Sequence, residues 1–183
     1  MTGEAVNIKE TDERSSQVST DVIINGATFE IITDRVWKIP TLTDKTGTMI
    51  NIALRITNRT GTGMRFHKFD TIRIALISPD GKSLLFDGGR NATRPGEFIS
   101  PLILPEQSLI ISRQAKLVWL KDKILRLIGS DDFGGIWYFD GLGPGNYKVQ
   151  IIHENYKAKI GFIDSIWIGK VITRSVEVEL KQL

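Results

Sequence analysis

The chain of 183 residues has no cysteine and only two histidines, His67 and His153. The first absence excludes disulfides, thiolate zinc sites and a cysteine nucleophile together. It also fits a reducing compartment, so a cytoplasmic location is the expectation. Two histidines far apart in sequence offer no ligand spacing for zinc. Residues 1–20 are polar and acidic-tinged, without the basic start and apolar stretch of a secretory signal. No segment approaches the apolar length that spans a bilayer. Charge of one sign is also scarce. Lys and Arg number 24 against 21 Asp and Glu, a net charge of +3, and no basic block emerges, so nucleic acid is not an expected partner. Repeats and low-complexity tracts are absent.

What is present is an ordinary globular composition, 41% hydrophobic and 25% charged. The length suits one domain with a sizeable core. Residues 1–20 carry too little apolar surface to offset ordering and are expected to be a disordered tail; residues 21–183 are expected to form the domain. The clearest stretch runs from Asp140 to His153. Pro144-Gly145 is a turn pair, after which Tyr147, Val149, Ile151 and His153 alternate with Lys148, Gln150 and Ile152. This is the period of a strand with one face in the core. Leu142, Pro144, Gly145 and Tyr147 have the spacing of a tyrosine corner, in which a Tyr hydroxyl bonds to backbone a few residues upstream.

Other strands announce themselves similarly. Val22 to Ile32 carries Asn25-Gly26, a strong hairpin pair. Met49 to Thr57 points Ile50, Ile52, Leu54 and Ile56 one way. Phe69 to Ile77 ends at the Pro79-Asp80-Gly81 turn, and Leu84 to Phe86 is read as a restart. A long loop, Asp87 to Ser100, precedes strand readings at Leu102 to Leu104 and Ser108 to Ser112. Arg113 to Ser130 fits either a helical face through Leu117, Leu120, Ile124 and Ile128 or a hairpin around Lys121 to Lys123, with the hairpin preferred. Ile136 to Phe139 leads into the corner. Asn155 to Lys170 reads as an insertion, and Val171 to Leu180 as the last strand, with Ile172, Val176, Val178 and Leu180 on one face. Many short strands between turns predict an all-β sandwich.

Chemistry is thin. His153 falls on the core face of its strand and reads as a satisfied structural histidine. His67 sits among basic residues that disfavour its charge. Neither has a serine in a nucleophile context, so no catalytic residue and no enzyme activity are expected. Asp131 and Asp132 could offer oxygens to calcium, but the loop lacks the alternation and closing Glu of an EF-hand, and a solvated turn is the default. Gly88-Gly89-Arg90 lacks the helix and Lys-Ser/Thr of a phosphate loop. No metal or cofactor is therefore expected. Asn58-Arg59-Thr60 and Asn91-Ala92-Thr93 match the glycosylation sequon, which outside secretion means only loop composition. Most aromatics should fill the core. Those in loop-like context, Phe133, Tyr156, Phe162 and Trp167, are the candidates for a binding surface, with Arg90 and Arg94 of the long loop.

The order of elements resembles the bacterial intracellular proteinase-inhibitor domains of the BsuPI type. The likeness rests on Ile52-Ala-Leu-Arg-Ile-Thr-Asn-Arg-Thr60, on Phe69 to Lys82 with its Asp-Gly-Lys turn, on Leu104-Pro-Glu-Gln-Ser108, and on Leu142-Gly-Pro-Gly-Asn-Tyr-Lys-Val149. It covers Met49 to Glu154. Trp119 to Asp140 is longer than the pattern needs, and Tyr156 to Lys170 is extra. The resemblance implies an immunoglobulin-like antiparallel sandwich with Greek-key connections, and makes Asn58 to His67 and Gly88 to Gly96 the loops for insertion into a proteinase cleft. The function expected is non-enzymatic binding of another protein, proteinase inhibition being one form of it. The alternative is a carbohydrate-binding module that stacks sugars on Trp167, Phe162 and Tyr156.

Overall fold

The computed structural model describes residues 21–84, 86–88, 100–121, 123–160 and 162–182. The expectations for the tail, for Arg90 and Arg94, and for most of the Asp87 to Ser100 loop lie outside the described residues. Among those residues there are thirteen strands and no helix, hence no helix long and apolar enough to cross a membrane.

The described residues begin with a hairpin of β1 (Val22–Ile24) and β2 (Ala27–Thr33). Its turn residues Asn25 and Gly26 have φ of 49° and 74°, the positive values that favour Asn-Gly. β3 (Val36–Ile39) follows, then β4 (Thr48–Asn58), β5 (Met64–Arg65), β6 (Ile72–Ile77) and β7 (Leu102–Ile103). β8 (Ser108–Trp119) and β9 (Leu125–Ser130) form the preferred hairpin, closed by the Leu120 N–H donating to the Ile124 carbonyl at 2.9 Å. A helix would have turned Leu117 away from Ile111 and Ala115, whereas on one strand all three face the core. The chain ends with β10 (Ile136–Leu142), β11 (Gly145–Asn155), β12 (Gly169–Ile172) and β13 (Val176–Gln182).

Six strands form one antiparallel sheet in the order β1-β2-β4-β8-β9-β10. The second sheet is built on β11. β6 runs antiparallel along one edge, β13 and then β12 along the other, and β3 joins β13 in parallel. A third sheet pairs β5 with β7. Phe29 and Ile31 from β2, Ile50, Ile52, Leu54 and Ile56 from β4, Ile111 and Leu117 from β8, and Val149, Ile151, Val178 and Leu180 from the second sheet belong to one buried cluster.

The corner forms as its spacing predicts. The buried Tyr147 hydroxyl donates to the Gly143 carbonyl at 3.2 Å and accepts from the Gly143 N–H at 3.1 Å. Leu142 is buried beside it, and Gly145 is at φ 148°, where an added Cβ would lie 2.8 Å from the Pro79 ring. Two strand readings need correction. Val171 to Leu180 is two strands, because Thr173 leaves the ladder and exchanges bonds with Ile151: its N–H donates to the Ile151 carbonyl at 3.0 Å, and its hydroxyl accepts from the Ile151 N–H at 2.9 Å. Val171 is therefore buried and Ile172 exposed. Of the expected strand Leu84 to Phe86, the described residues Leu84 and Phe86 belong to no strand; Ser83 makes an isolated bridge to Ile77, and the Leu84 N–H donates to the Leu76 carbonyl. β3 has no counterpart in the sequence reading; four residues with one alternation are too short to stand out.

Candidate binding surface

One end of the molecule gathers the start of β11's outgoing insertion, the β4–β5 loop and the turn between β7 and β8. Each is held by a buried side chain. Asn58, fully buried at the end of β4, donates through Nδ2 to the carbonyls of Thr62 at 2.7 Å and Ile103 at 3.0 Å. Its Oδ1 accepts from the Thr60 N–H at 2.9 Å and the Thr60 hydroxyl at 2.7 Å. The Asn-x-Thr triplet thus staples its own loop, which leaves residues 61–63 exposed. Across it, Arg59 pairs with Glu106.

Asn155 does the same for the insertion, donating to the carbonyls of Trp167 at 2.7 Å and Lys157 at 3.1 Å. Arg65 forms a parallel bridge to Ile166, and the Trp167 N–H donates to the Arg65 carbonyl at 2.8 Å. At the tip, Ile160 and Ile163 exchange backbone bonds of 2.8 and 3.0 Å, and Phe162 between them is 91% exposed. Tyr156, Leu102 and Leu104 are also exposed at this end.

The aromatic candidates therefore divide. Phe162 and Tyr156 face solvent. Trp167 does not: it is 4% exposed and packs with Phe29, Phe66 and His153 at ring-centroid distances of 5.1, 6.0 and 5.2 Å. Its placement on the surface is corrected by the bridge to Arg65, which turns this stretch back onto the core. Phe133 is half-buried, edge-on to Phe69 at 5.3 Å.

His153 lies at the centre of the aromatic cluster with no exposed surface. It is structural, but not satisfied. The nearby Thr71 carbonyl favours its protonated form, yet neither ring nitrogen has a hydrogen-bond partner. Burial, with a smaller push from His67, takes its pKa down to about 4. His67 is also depressed, chiefly by burial and then by Lys157 rather than by its sequence neighbours. Its Nδ1 lies 3.0 Å from the Ser100 hydroxyl, a pair invisible in sequence. Both groups are buried, so the contact satisfies two polar groups rather than presenting a nucleophile to substrate.

Asp131 accepts from the N–H groups of Phe133 and Gly135, both at 2.8 Å, and Asp132 pairs with Lys68 at 3.1 Å. This is the turn geometry of a loop Asp. Among the described residues no three His, Asp or Glu side chains are gathered as a metal cluster. Comparison with protein-family models, curated proteins and solved structures gives no match.

Proposed function

We propose that the chain is a non-enzymatic module that binds another protein through this end of an immunoglobulin-like sandwich. The Greek-key part of the reading draws support from the pairing of β11 with β6 and β13, from the parallel β3–β13 edge, and from the Tyr147 corner. The observation that carries the function is Phe162, almost wholly exposed on a turn tied at both ends. A large apolar ring costs free energy in water, and on a preordered loop it is an anchor whose entropy has already been lost. The loop stapled by Asn58 adds a second rigid element beside it, as insertion into a cleft would require. Proteinase inhibition is the narrower form of this reading, after the BsuPI-type resemblance. Sugar stacking loses its main ring with Trp167 inside the core, which leaves the protein reading favoured.

The test is retention of a partner from the protein's own cell extract at near-equal amounts, by the wild type and by Phe162→Asp. The substitution is fully exposed and should leave the melting temperature unchanged while abolishing retention. No enriched partner, or equal retention by the variant, overturns the proposal. Unaltered cleavage across a proteinase panel at stoichiometric excess removes the inhibitor form alone.

A further inference from the structure

Arg113 breaks the pattern of β8. It stands between Ile111 and Ala115 on the strand's inward face and is only 4% exposed, where a charge is costly unless hydrogen-bonded. Its Nη1 has no hydrogen-bond partner. Arg113 lines a cleft of about 80 Å³ between β6 and β10, with Ile72 and Ile74 on one side and Trp137 on the other. Trp137 brings a second orphan, a buried indole N–H that also lacks an acceptor. Its ring is seated by Gly129 opposite, where an added Cβ would fall 2.2 Å from the indole. Two buried donors without acceptors at one cleft are unusual, since buried polar groups are nearly always paired.

We propose that this cleft binds a small carboxylate, taken up by the Arg113 guanidinium and the Trp137 N–H. A carboxylate is an acceptor-only group whose two oxygens suit a guanidinium fork. The other arginine at the cleft, Arg73, is engaged by Glu154 at 2.9 Å. Asp131, its Oδ1 held by backbone N–H groups, and Asp70 also line the cleft. The Asp131 charge favours the protonated Arg113, while the two carboxylates repel a dianion more than a monoanion, so the site takes a monocarboxylate in preference to the dianionic form of phosphate. Apolar walls from Ile74 and Trp137 suit a short carbon chain behind the carboxylate. The site lies apart from the Phe162 turn and does not depend on the protein-binding reading.

Calorimetric titration of the whole chain with acetate and propionate, against chloride and inorganic phosphate at matched ionic strength, tests this. Saturable binding of the carboxylates is expected, with a rise in melting temperature that chloride does not produce. Arg113→Met should weaken that binding at least tenfold, and Trp137→Phe should weaken it less. The Trp137 variant serves by itself if the Arg113 variant does not fold. Non-saturable heats, equal effects of chloride, tighter binding of phosphate, or undiminished affinity in both variants would each overturn the proposal.

Discussion

His153 makes the stability of this protein depend on pH in a window where most carboxylates are silent. The imidazole is fully buried against Phe29, Phe66 and Trp167, with both nitrogens unpaired, and its pKa is about 4. In the unfolded chain it returns to about 6.5. Between those values the unfolded state binds the proton more readily, so stability falls as pH drops from about 6.5 to 4. The full gap corresponds to about 3 kcal/mol, of which about 2.5 kcal/mol is expressed by pH 4.5. His67, depressed in the same direction, adds to the loss. The depressed carboxyls, among them Asp80 at about 2 and Asp140 beside Arg126, take effect only as pH falls through about 4 and below. Urea denaturation followed by tryptophan fluorescence from pH 7.5 to 4.5 measures this. His153→Phe keeps a ring in the cluster and removes two unpaired nitrogens, so at pH 7.5 it should be as stable as wild type or more so. By pH 4.5 its advantage should have grown by about 2.5 kcal/mol. Parallel stability profiles for the two proteins would refute the reasoning, because the buried imidazole would then not be the group that titrates.

Leu54→Ala should cost about 2–5 kcal/mol in denaturant unfolding, since the side chain is fully buried in the shared core; a cost below 1 kcal/mol would mean the site collapses without loss. Tyr147→Phe should cost about 1 kcal/mol, the net worth of the corner's bonding to Gly143. Asn58→Ala should destabilise by about 1–3 kcal/mol, because the Ile103 and Thr62 carbonyls lose their donor. It should also raise amide exchange at residues 59–63 far more than in β11, and uniform exchange would contradict a loop stapled from within.

The strand framework was legible where an apolar period-2 pattern ran unbroken, as in β4 and β11, and where a turn pair fixed the register, as at Asn25-Gly26; β8 was read only to Ser112, because Arg113 interrupts its apolar alternation. Tyr147 was legible because its corner has a fixed spacing. The misreadings share a cause, which is that local pattern cannot see a partner distant in sequence. Trp167 sits in a polar, glycine-bearing stretch and looks exposed until Arg65 pulls that stretch inward. Thr173 breaks the final strand through bonds to Ile151, and nothing local marks it. The Asn58 triplet was visible as composition, but its staple runs to Ile103, 45 residues away. Arg113 could have been found by one further question, namely why a cation should stand between Ile111 and Ala115 on an inward face.

The proposed function puts a partner protein on the Phe162 end of the molecule. Photo-crosslinking reads that contact, with a benzophenone side chain at position 162 and, as control, at position 45 in the turn-rich connection before β4. The expected result is one protein adduct from position 162 and none from position 45, with the adduct suppressed by unlabelled wild type. Equal labelling from the two positions, or no adduct from position 162, would contradict the claim.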